Sequence, residues 1–264
     1  MDGDVVWEKT LNISGEGKTI YVMKGRESTY VLGTTIWRSL DHIYMAEISG
    51  DSVETEIIAN DTSIVDALPY DDAVLAVGEK NVEWTRKVAL LKIGLENKSI
   101  STYIYDVPGD GNEKIYLYNN TIYIVVAYPN NSILLIKHPL GGAPAYSTYM
   151  LSESMFLEDM CVIRNNVYLA ITTPDGGKIL RISDGDGIVV VSEKTNRLVT
   201  RLDVFRGKLY ALEHDVGTGE KFITRYETNI YDSDPIPAPI EECPMATDTY
   251  IYSCLLYTSD ADDD

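Results

Sequence analysis

One apolar segment recurs along this chain, and that recurrence limits the possible folds more than any single motif does. It reads STYVLG at 28–33, AVLAVG at 73–78, TIYIVV at 121–126, NVYLAI at 166–171, KLYALE at 208–213 and TYIYS at 249–253. With Tyr30, Val74, Tyr123, Tyr168, Tyr210 and Tyr250 as equivalent positions, the intervals are 44, 49, 45, 42 and 40 residues. Their mean is 44, and a chain of 264 residues holds six such units. A period of this length marks a repeat architecture in which each unit is one supersecondary element.

Each copy has a companion run and a short turn before it. KIYLY at 114–118 precedes Asn119-Asn120, MCVI at 160–163 precedes Asn165-Asn166, and LDVF at 202–205 precedes Arg206-Gly207. Asn and Gly tolerate positive φ, so each pair reads as strand, two-residue hairpin turn, strand. A third run follows: HIYMA at 42–46, KVALL at 87–91, SILLI at 132–136, KILRI at 178–182 and KFITR at 221–225. A weaker fourth lies at 53–58, 99–105, 145–150 and 188–191. The runs are rich in Val, Ile and Tyr, and they lack the i, i+3, i+4 spacing of an amphipathic helix. Four antiparallel strands repeated at about 44 residues predict an all-β, six-bladed β-propeller, here a single domain over 1–264 with the blades at 4–253.

A ring of blades must close, or a sheet edge is left unpaired. The segment DVVWEKTLN at 4–12 resembles the fourth-strand segment IVVVSEKTN at 188–196, so it is expected to supply the outer strand of the last blade. That blade is expected to begin with strands at 241–247 and 249–255 and to be incomplete. The final residues, CLLYTSDADDD at 254–264, resemble the translation of a sequencing adapter, which implies a non-native tail on a truncated fragment.

Composition excludes several partners. Lys and Arg total 22 against 41 Asp and Glu, a net charge of −19, and binding to nucleic acid or an anionic membrane needs a basic face. No window approaches 18 consecutive apolar residues, so no membrane span is expected. The three Cys, at 161, 243 and 254, suit neither a disulfide framework nor a zinc site. Cys161 and Cys243 fall at equivalent inner-strand positions of the fourth and sixth repeats, which suits burial as small hydrophobes. The N-terminus lacks the pattern of a signal peptide, so the default expectation is a cytoplasmic monomer. Five N-x-S/T sequons, at Asn12, Asn60, Asn97, Asn119 and Asn130, would instead suit an extracellular surface.

Propellers bind ligands where inner strands and their loops converge. Asp66, Glu113, Asp159, Asp203 and Glu242 lie near the starts of the inner strands and are the candidate channel-lining residues. A ring of carboxylates can hold a hard cation such as Ca²⁺ or a cationic ligand, and it can equally line a water-filled tunnel. His42, His138 and His214 lie in different repeats, without metal-ligand spacing. The glycine pairs and the DGDG segment at 184–187 form hairpins, not a phosphate loop or a calcium loop.

The segments NVYLAI and GKILRI resemble the blades of six-bladed NHL-type and gluconolactonase-like propellers. Two functions follow as expectations. The first is a non-enzymatic binding module that recognises a protein or carbohydrate through an acidic surface rich in Tyr, of which the chain has 19. The alternative is a calcium-dependent lactonase or related hydrolase, in which a cation in the channel polarises a carbonyl.

Overall fold

A computed structural model describes residues 16–24, 28–37, 40–183, 187–226 and 239–245. These residues form five four-stranded antiparallel sheets, in each of which strands pair in chain order. The first contains β1 (Glu16–Lys24), β2 (Thr29–Trp37), β3 (Leu40–Ser49) and β4 (Ser52–Asn60). The second contains β5 (Asp66–Tyr70), β6 (Ala73–Val82), β7 (Thr85–Gly94) and β8 (Ile100–Pro108). The third contains β9 (Asn112–Tyr118), β10 (Thr121–Ala127), β11 (Ser132–Pro139) and β12 (Ala145–Met150). The fourth contains β13 (Phe156–Ile163), β14 (Asn166–Thr173), β15 (Gly176–Ser183) and β16 (Gly187–Lys194). The fifth contains β17 (Arg197–Phe205), β18 (Lys208–Asp215), β19 (Lys221–Tyr226) and β20 (Pro239–Met245). The chain divides into two compact units, Met1–Ile115 and Tyr116–Asp264.

The turn chemistry behaves as the sequence requires. Asn119-Asn120 and Arg206-Gly207 join the first and second strands of their sheets as expected, the turn between β13 and β14 falls at Arg164-Asn165, one residue before the expected Asn165-Asn166, and all six turn residues have φ between 47° and 71°. Both central residues of a type I′ turn sit at positive φ, and its twist matches that of the strands it joins.

The middle strands are buried on both faces, and residue parity decides which neighbour each side chain meets. In the second unit, Val167, Leu169 and Ile171 of β14 pack with Tyr123, Val125 and Leu135 of the third sheet. The intervening Tyr168 and Ala170 pack with Val199, Leu209 and Ala211 of the fifth. In the first unit, Tyr30, Leu32 and Met45 pack with Val74, Ala76, Leu91 and Ile93, so the first two sheets share one core.

The fifth sheet corrects one boundary. Residues 241–247, read from the sequence as the first strand of a sixth repeat, lie largely within β20, which pairs with β19 as the fourth strand of the fifth sheet. The expected closing strand at 4–12, the strand at 249–255 with Tyr250, sequon Asn12 and the tail at 254–264 lie outside the described residues.

Candidate functional site

Four of the five candidate carboxylates lie on first strands: Asp66 on β5, Glu113 on β9, Asp159 on β13 and Asp203 on β17. Glu242 does not. It sits on β20 opposite Thr224, because the segment that carries it completes the fifth sheet.

A first strand pairs within its sheet on one side only, so its other N–H groups need acceptors from elsewhere. Two of the carboxylates meet that need. Asp66 Oδ2 accepts the Ile115 N–H at 2.9 Å, and Asp159 Oδ2 accepts the Leu202 N–H at 2.8 Å. The second oxygen of Asp159 takes the N–H of Met160 at 2.9 Å, and Asp203 takes that of Val204 at 2.7 Å. Between the first two sheets a hydroxyl does similar work: Thr34 Oγ1 accepts the Ile64 N–H at 2.7 Å. These carboxylates therefore latch one first strand to another or brace their own strand.

Within each unit the carboxylates have their own electrostatic surroundings. Asp66 lies near Tyr21, whose phenol donates to the Val65 carbonyl and is pushed well above its usual range, first by burial and then by the Asp66 charge. Asp159 and Asp203 share surroundings with Tyr116 and Cys161. Burial, followed by the charges around it, pushes Tyr116 up to about 12. The buried Cys161 thiol is held well above its ordinary range by burial and by the same two aspartates, so it is a packed hydrophobe and not a nucleophile.

Glu113 is the exception. Its side chain is fully buried, and neither carboxylate oxygen has a hydrogen-bond partner among the described residues. Burial, then the charge of Glu79 and more weakly that of Asp110, pushes it from 4.5 up to about 8. A carboxyl in such a place is neutral at pH 7.

Sequence reasoning missed a second buried acid. Glu213 on β18 is fully buried and fully engaged: it accepts from the Tyr226 hydroxyl at 2.6 Å, Lys194 Nζ at 2.9 Å and an Arg197 nitrogen at 3.2 Å. The Arg197 guanidinium also lies 3.8 Å from the ring centre of Phe222. Lys194 and Arg197 flank the link between β16 and β17, so this acid ties the fourth sheet to the fifth. The recurrent Tyr also has a role that the spacing alone did not show. Tyr123, Tyr168 and Tyr210 stand directly opposite Lys137, Arg181 and Arg225, a cross-strand aromatic–cation pair at one register in three successive sheets.

Among the other residues singled out, His42 Nδ1 lies 2.8 Å from Asn60 Oδ1, and Cys243 stands on β20, not on an inner strand. Asn97 and Asn130 accept from the Ser of their own sequons, closing tight polar turns. Among the described residues, no group of three or more His, Cys, Asp or Glu is placed to hold a metal ion, and no helix is long and apolar enough to cross a membrane.

No family model and no curated protein matches the chain. The crystal structure of a functionally unknown protein from Desulfotomaculum acetoxidans DSM 771 is similar to it, with a TM-score of 0.54 at 14% identity, over 88% of this chain and 71% of that one. At this identity the likeness concerns the fold alone.

Proposed function

We propose that the chain is a binding scaffold: a six-bladed β-propeller whose acidic, Tyr-bearing surface recognises a protein or carbohydrate partner. The observation that carries this reading is the division of labour among its polar groups. Asp66, Asp159 and Asp203 are committed to backbone N–H groups, and Tyr123, Tyr168 and Tyr210 to cross-strand partners. Other Tyr remain on the surface: Tyr103 on β8 and Tyr146 on β12 are each nearly half exposed, one in each unit. Tyr offers a rigid apolar face and a hydroxyl at little entropic cost, which suits recognition. The chain's repeat period and the doubly buried middle strands support the closed ring.

Two measurements test the proposal. A closed single body of this length has a radius of gyration of about 18 Å in X-ray scattering, whereas two tethered units would give a clearly larger value and refute the ring. Binding is read on a glycan array and a random peptide library, where Tyr103→Ser and Tyr146→Ser are expected to weaken the hits. Hits that ignore both substitutions would remove the Tyr surface as the recognition element.

A further inference from the structure

Glu83 and Trp84 form the two-residue turn between β6 and β7, with φ of 49° and 70°. Three other two-residue hairpin turns have both residues in the same left-handed region, and their second positions hold Asn120, Asn165 and Gly207. Those residue types enter that region most readily, whereas a bulky side chain there carries a steric penalty. Trp84 is therefore the residue least suited to its backbone. It gains no burial in exchange, since its side chain is fully exposed. An outlier that neither local conformation nor packing explains is grounds for a functional hypothesis.

The neighbouring groups fit that hypothesis. Leu40, paired with Trp37 at the end of the β2–β3 ladder of the first sheet, is 44% exposed. Arg86, two residues beyond Trp84, reaches Asp41 at 3.3 Å and Glu79 at 2.9 Å, which ties the two hairpins together in the first unit. The Asp61 carbonyl accepts the Asn81 N–H at 3.0 Å, and Lys80 Nζ donates to Thr62 Oγ1 at 3.4 Å. Asp41, Asp61, Glu79 and Glu83 thus lie along this edge with Lys80 and Arg86, and the edge is net acidic like the chain as a whole.

We propose that this hairpin edge is an interaction site, with Trp84 as its anchor, for a peptide segment of a protein partner that carries aromatic or aliphatic side chains bordered by Lys or Arg. This deepens the binding-scaffold reading and rests on it. Exposed Trp and Arg are residue types enriched in protein-binding hot spots, and the exposed Leu40 adds apolar area beside them. A sugar site would need polar groups free to meet hydroxyls, and here Arg86, Asp41 and Glu79 are already paired with one another. The acidic border selects a basic partner and rejects acidic ones.

The test uses Trp84→Asn and Trp84→Gly, which place the favoured residue types in the turn and should melt no lower than the parent chain. A phage-displayed random dodecapeptide library, selected on the parent chain, should yield peptides with aromatic or aliphatic residues flanked by Lys or Arg. Either substitution should weaken the selected peptides at least about tenfold, as loss of an anchor residue does. Glu83→Lys should weaken them by a smaller, salt-dependent factor. If the peptides bind the Trp84 variants as tightly as the parent, the anchor assignment is wrong while the scaffold reading stands. If the parent chain selects no peptide, the anchor proposal fails, and if a glycan array is also silent the scaffold reading fails with it. If a glycan array gives the Trp84-dependent signal instead, the partner class is wrong.

Discussion

Replacing Glu113 by Gln should remove a pH-dependent penalty from the first unit. Gln keeps the shape of the side chain and cannot ionise. In the folded chain, burial and the nearby Glu79 and Asp110 raise the Glu113 carboxyl from 4.5 to about 8. Each tenfold change in proton affinity is about 1.4 kcal/mol, so this difference corresponds to about 5 kcal/mol of preference for the neutral form. The folded state holds the proton more tightly than the unfolded state, so the stabilising contribution is complete below pH 4.5. It declines as pH rises, is lost by about pH 8 and stays flat above that. Protein relaxation and water entry lower the measured value, and about 3 kcal/mol between pH 5 and pH 9 is a realistic expectation. Urea unfolding at fixed ionic strength reads this directly, because other titrating groups cancel when variant and parent are compared at each pH. At pH 5 the Gln variant should be no more stable than the parent. By pH 9 its midpoint should lie higher by about 1–2 M relative to that starting difference. Parallel stability curves for the two proteins across this range would refute the assignment of Glu113 as a buried, neutral acid.

Asp159→Ala should cost about 1.5–3 kcal/mol, because it strands the Leu202 N–H on β17, whereas Asp159→Asn keeps an acceptor oxygen and should recover most of the loss in urea unfolding. Glu213→Ala leaves Lys194, Arg197 and the buried Tyr226 hydroxyl without their shared acceptor; a loss of about 3–5 kcal/mol is expected, visible as a lower melting temperature. Gly177→Ala would put a methyl 2.6 Å from the Arg197 carbonyl oxygen and 2.7 Å from the Val199 nitrogen, so β15 and β17 must separate; a cost of about 1–3 kcal/mol should appear in the same melt.

What was legible in the sequence was whatever short-range chemistry dictates. The turns at Asn119-Asn120 and Arg206-Gly207 announce themselves because few residues accept positive φ, and the runs on either side become the strands expected, while the Asn165-Asn166 pair points one residue beyond the actual turn at Arg164-Asn165. The fourth strand of the fifth sheet was misread. Its sequence, PIEECPM, is acidic, contains two prolines and follows another proline-bearing stretch, so no apolar alternation separates it from a new repeat. An outer strand buries little, and its sequence is correspondingly unconstrained. The site shows the same limit. Acidic residues on first strands could be found by position, yet the role of Asp159 depends on an N–H that lies 43 residues away in the chain. Nothing local distinguishes the satisfied Glu213 from the unpartnered Glu113. Only the side chains brought by neighbouring strands do that.

The alternation along β14 makes the fourth sheet unusually intolerant of one kind of change. A single-residue insertion in the middle of β14 would exchange the two sets of side chains beyond it, sending groups meant for the third sheet toward the fifth and the reverse. Loss or gain of a whole unit leaves that alternation intact in every sheet that remains. Length variation among chains built this way should therefore come as entire repeats or as changes in the turns, and the middle strands should keep a fixed length.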